Sequence, residues 1–164
     1  MTAVEAGATV HDSVTVTGAA ATPSGNVTFD WFTNGTCAGA PASTSANVAL
    51  ANGQADATGF AKGPLAAGRY AFRAHYLGDT EYVAGAGPCE PLQVVDANIQ
   101  ITPGAATNRI GHTHTFTAHV NVNDGTGFTN APDGTAISFQ IDSGPGSFTS
   151  TNPCITSGGT GSCL

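Results

Sequence analysis

Basic residues are scarce in this chain: one lysine (Lys62) and three arginines (Arg69, Arg73, Arg109) stand against 11 acidic residues, giving a formal charge of -7. Binding a phosphate backbone takes several converging cations, so no nucleic-acid partner is expected and anionic membrane surfaces are poor targets. Long apolar runs are also missing. None approaches the roughly 20 residues that cross a bilayer, and the N-terminus lacks a charged segment followed by an apolar one. No membrane insertion is expected within this stretch, and an export signal, if the protein is exported, lies outside it. Strong helix formers are few, and no window repeats apolar residues at a helical period.

What remains is turn and strand chemistry, with 22 Gly and 9 Pro in 164 residues. Val14 and Val16 alternate with Ser13, Thr15 and Thr17, as on a half-buried strand. After the Pro23-Ser24-Gly25 turn, Val27, Phe29 and Trp31 share one face while Thr28, Asp30 and Phe32 share the other, which marks a central strand. Asn34-Gly35 closes it in a tight turn. Val48 and Leu50 mark a short strand before Asn52-Gly53, and 64–68 reads as a turn. Tyr70, Phe72, Ala74 and Tyr76 then point one way and Ala71, Arg73 and His75 the other. A strand over about 89–95 ends this region. The expectation is all-β, and the length suits two domains of ordinary sandwich size.

Cys37, Cys89, Cys154 and Cys163 form no CxxC pair and have no histidine close in sequence, which argues against zinc. Disulfides are expected, and three connectivities are open. Pairing Cys37 with Cys89 and Cys154 with Cys163 is favoured because each bridge then stays inside one domain. Chain entropy assigns such bridges about 4 and about 3 kcal/mol. A reactive thiol would need a basic neighbour, and none is apparent.

The run from His11 to Gly18, Pro23 to Phe29, Asn34-Gly35-Thr36-Cys37, Leu65 to Ala74, Tyr76-Leu77-Gly78-Asp79-Thr80-Glu81-Tyr82 and Cys89-Glu90-Pro91-Leu92 together resemble a bacterial immunoglobulin-like repeat of large cell-surface and secreted proteins. The resemblance covers residues 5–95. It implies that the cysteines at 37 and 89 pair, that Gly-Asp-x-x-Tyr is a corner after a core strand, and that the repeat is a spacer without catalytic residues. Residues 97–164 are similar to an invasin or intimin type of immunoglobulin-like domain, through a strand at 99–102, another at 114–120, a third at 136–141 and a cysteine hairpin at 154–163. In that pattern two more strands follow. The fold expected is therefore two tandem immunoglobulin-like β-sandwiches, the second incomplete at its C-terminus, either cut short or completed by another chain.

Candidate sites are weak. His112 and His114 share a strand face and could reach a metal together, but they open a strand whose Phe116, Ala118 and Val120 are expected in the core; His119 points away. Asp124, Asp133 and Asp142 are oxygen donors without the spacing of a calcium loop. Asp79 and Tyr82 read as a packed corner, and Trp31 as core rather than a sugar platform. Lys62 lies in a loop, unsuited to a buried isopeptide cross-link. A hydrolase needs a nucleophile with a base in reach, and no GxSxG elbow is present. No enzyme activity, cofactor or metal is expected. The function expected is a non-catalytic spacer in a bacterial extracellular or cell-surface, adhesin-like protein, with further repeats of the same parent chain as neighbours. The alternatives are a glycan- or host-protein-binding module, or an assembly subunit completed by strand addition.

Overall fold

The computed structural model describes residues 2–164 and is all-β; its one helical element is a single 3-10 turn at Thr58–Phe60. Two compact units divide at Asp96 and Ala97. In the first, the strands are β1 (Thr2–Glu5), β2 (Ser13–Thr15), β3 (Asn26–Phe32), β4 (Ser43–Thr44), β5 (Val48–Ala49), β6 (Gln54–Asp56), β7 (Gly68–Tyr76), β8 (Gly85–Ala86) and the opening part of β9 (Glu90–Thr102). The larger sheet runs β1, β9, β7, β3, with β4 and β5 on the far edge of β3 and β8 extending the edge of β7. All its pairings are antiparallel except β1 with β9. A second sheet is the β2–β6 pair, lengthened by a bridge between Val10 and Lys62.

Alternation along β3 and β7 explains the core. The odd residues of β3 and the even residues of β7 face inward, where Val27, Phe29 and Ala74 pack with Ala55 of β6 and with Val14 and Val16. A second cluster joins Trp31 and Phe72 to Leu92 and Val94 of β9, with Tyr70 and Val4 alongside. Trp31 stacks on Tyr70 at 5.1 Å and tilts against Phe72 at 4.6 Å. Burying Phe29 or Val27 completely stabilises by roughly 1.5–3 kcal/mol each.

The outer face of the same strands is also partly covered. Phe32 and Ala71 sit beneath the Cys37–Cys89 disulfide, so β3 ends buried on both faces. The bridge forms because β3 and β7 lie side by side and β9 follows β7 back, which brings residue 89 beside the turn after β3.

The strand expected over about 89–95 is longer: β9 runs to Thr102. The cause is composition, since Val94, Val95, Ile99 and Ile101 favour extended backbone and no Gly or Pro falls between them. The β1 pairing with β9 begins at Thr2. The strand begun at Ser13 ends at Thr15, with Val16 held by a bond from its N–H to the Gly53 carbonyl.

In the second unit, β10 (Thr117–Asn123) lies between β9 on one side and β11 (Phe128–Asn130) with β14 (Ser162–Cys163) on the other. β12 (Ala136–Ile137) pairs with β13 (Cys154–Ile155) in a separate small sheet. The core is thin: Ala118, Ile137 and the Cys154–Cys163 disulfide, with Val120 and Phe139 against them. Its cysteine segment is not a paired hairpin, because β13 and β14 join different sheets and the disulfide links them. Phe116, expected in the core, is 44% exposed, because β10 starts one residue later than its aromatic. The strand expected over 136–141 is paired only at Ala136 and Ile137; beyond it the side chain of Asn152 takes both backbone bonds of Phe139.

Candidate functional site

The Gly78-Asp79-Thr80-Glu81-Tyr82 segment is a tie between loops. Asp79 accepts hydrogen bonds from the backbone N–H and hydroxyl of Ser24, in the turn before β3, and from the N–H groups of Glu81 and Tyr82. Those donors, led by the Ser24 N–H, hold its carboxyl well below the usual carboxylate range. The Tyr82 hydroxyl accepts from the N–H groups of Ala20 and Ala21 and donates to the Ala21 carbonyl. Its ring leaves no room above Gly18, where a Cβ would lie 2.2 Å from Tyr82 Cζ. Neither side chain has hydrogen-bonding capacity free for an acid–base role.

A second polar group lies between Val10 and β9. Asp12 is 8% exposed, and its Oδ1 accepts from the Ser13 N–H at 2.8 Å. No donor reaches its Oδ2 while neighbouring acids are ionised, and the carboxyl of Glu90 lies alongside within hydrogen-bonding reach. Burial pushes both acids up, and the charge of Asp12 adds to the rise at Glu90. Nearby, His11 pairs with Asp56 at 3.0 Å on the surface. On the outer face of β3 and β7, Asp30 accepts from the Thr44 hydroxyl and meets His75 Nε2 at 2.9 Å.

The other candidates are placed as follows. Trp31 is 6% exposed and presents no platform. His112 and His114 precede β10 rather than opening it, and His114 meets the edge of the Phe116 ring at 4.4 Å. Asp124 accepts from Thr126, Asp133 from the Gly159 N–H, and Asp142 from the Gln140 amide, so each closes a loop. Among the described residues, no group of three or more His, Cys, Asp or Glu side chains is arranged to hold a metal ion. Lys62 reaches the Ser43 hydroxyl at 2.9 Å and covers the Phe60 ring.

One arrangement escapes a motif search. On the face of β10 away from the core, His119 Nδ1 is 2.9 Å from Ser162 Oγ, and His119 Nε2 is 3.0 Å from Asn121 Oδ1. The Asn121 amide in turn donates to Asn98 Oδ1 at 3.3 Å. Ser162 also borders an open groove of about 670 Å³ whose apolar wall is Pro153, Ile155, Leu164 and the second disulfide. The signal in the sequence is only the i, i+2 spacing of His119 and Asn121; their serine arrives by strand pairing from 43 residues away.

Fold and side-chain placement together define an all-β protein built on a large antiparallel sheet, carrying two disulfides, with no helix long and apolar enough to cross a membrane among the described residues. No family model, no curated protein and no solved structure matches the chain.

Proposed function

We propose that the chain is a pair of immunoglobulin-like modules, over 5–95 and 97–164, acting as non-catalytic spacers in a bacterial extracellular or cell-surface protein of the adhesin kind. The observation that carries this reading is how the first unit uses its polar side chains: Asp79, Tyr82 and Asn34 all bind backbone groups of loops and hold them in place. Such bonding resists extension and leaves no convergent polar cleft for a substrate. Two disulfides suit an oxidising compartment, and the acidic composition suits a surface that repels nonspecific partners. Single-molecule stretching of the intact chain tests it. The expected trace has cooperative unfolding, with the extension of the first unit shortened by the 52-residue separation that Cys37–Cys89 locks and restored on reduction. Smooth extension at low force overturns the spacer role.

A second reading, completion by a strand from another chain, is favoured by one feature of residues 97–164. Ile99, Ile101, Phe116, Ile155 and Leu164 are all roughly half exposed or more, which leaves apolar surface for an added strand to cover. Light scattering separates the two: a monomer across a wide concentration range excludes self-association through these residues.

A further inference from the structure

We propose that Ser162 is an activated hydroxyl that is acylated by an ester with a short apolar acyl chain. The inference rests on the second unit alone and asks for one covalent transfer, so it stands or falls separately from the spacer role.

The directions of the hydrogen bonds set the proton positions. Asn121 gives its amide N–H to Asn98 Oδ1, which turns its own Oδ1 toward the imidazole. That oxygen only accepts, so the proton of the ring sits on Nε2. Nδ1 is left with a lone pair, and the group facing it is Ser162 Oγ–H at 2.9 Å. The hydroxyl has a second acceptor in the Thr160 carbonyl, but at 3.3 Å. Nucleophile, base and positioning residue therefore stand in the order found in serine and cysteine acyl transfer, recognised by geometry and not by motif. Strand pairing fixes the set, since Ser162 lies directly opposite His119 and Asn121 follows on the same face.

The groove supplies the substrate class. Pro153, Ile155 and Leu164 offer an apolar wall beside Ser162, and no cation lines it to hold a carboxylate or phosphate. In the transfer, Oγ attacks the ester carbonyl carbon as its proton passes to Nδ1. The bond from that carbon to the leaving oxygen then breaks, and the oxygen departs with its electron pair and takes the proton back from the imidazolium. The products are a Ser162 ester and a free alcohol or phenol.

The intact, disulfide-bonded chain is incubated with p-nitrophenyl butyrate, nitrophenolate release is followed, and the butyryl group is located by peptide mapping. Ser162 is expected to carry it, while Ser143, fully on the surface, stays unmodified over the same period. His119→Gln should slow acylation at Ser162 by about 10²-fold, the usual contribution of a general base. Asn121→Asp, whose carboxylate also only accepts and adds a negative charge opposite the imidazolium that forms, should raise the rate and guards against misreading a folding defect in the histidine variant. Equal labelling of Ser143 and Ser162, an unchanged rate in His119→Gln, or an unchanged or lower rate in folded Asn121→Asp overturns the proposal.

Discussion

Replacing both Cys37 and Cys89 by alanine should cost the first unit about 5 kcal/mol of stability. The bridge spans a sequence separation of 52, and closing a loop of that size removes about 4 kcal/mol of chain entropy from the unfolded state. The two sulfurs also cover Phe32 and Ala71 on the outer face of the sheet; losing that packing adds about 1 kcal/mol. A unit of this length is ordinarily stable by about 5–14 kcal/mol, so a total near 5 kcal/mol is about a third of the upper figure and all of the lower one. Trp31 makes the assay specific. It is the single tryptophan of the chain and is buried against Tyr70 and Phe72, so its fluorescence reports this unit. Urea unfolding of wild type and the double variant should show a large drop in midpoint and a steeper slope, because the unfolded chain without the cross-link exposes more surface. A loss under about 1 kcal/mol would mean that β3 and β7 hold the turn without the bridge, and would refute the entropy argument.

Tyr82→Phe removes the hydroxyl that serves two N–H groups and one carbonyl; those groups reach water, so the expected loss is about 1–2 kcal/mol by urea unfolding. Asp12 and Glu90 have folded-state pKa values raised above their unfolded ones. Their contribution is therefore full at acid pH and is lost as pH rises through the raised values. Between mildly acidic and neutral pH the wild-type midpoint should fall, and Asp12→Asn should flatten that fall; a steeper one in the variant contradicts the raised carboxyl of Asp12. Gly161 has φ +63°, and a Cβ there would lie 2.5 Å from the Val120 carbonyl oxygen. Gly161→Ala should break the β10–β14 pairing, seen as faster amide exchange at Val120, whose N–H bonds the Gly161 carbonyl.

How far the sequence could be read follows from the length of each strand. The alternation along β3 and β7 is legible because seven and nine residues repeat one period long enough to assign both faces. Strands β4, β5, β8 and β14 have two residues each, too few to carry a period, and each lies on the edge of a longer neighbour, while the equally short β12 and β13 pair with one another. The misplaced start of β10 has the same origin: Phe116 continues the apolar spacing of Ala118 and Val120, yet the partner strand β14 reaches only to Ala118.

The corner at Asp79 and Tyr82 was visible as a turn but not as a tie, because its partners, Ser24, Ala20 and Ala21, lie more than 50 residues away. The Asp12–Glu90 pair shows the same limit. Nothing local marks Asp12 as buried; β9 must return beside the loop before β2 to bring Glu90 near it.

By itself the sequence determined the strand-forming character of the chain, the inward faces of its two longest core strands and the shortage of cations. These are local or additive properties, set by side-chain period, turn chemistry and summed charge. It left three cysteine connectivities open, and it held no sign that Ser162 would face His119. Those depend on which strands become neighbours, and that is decided by packing of the whole core.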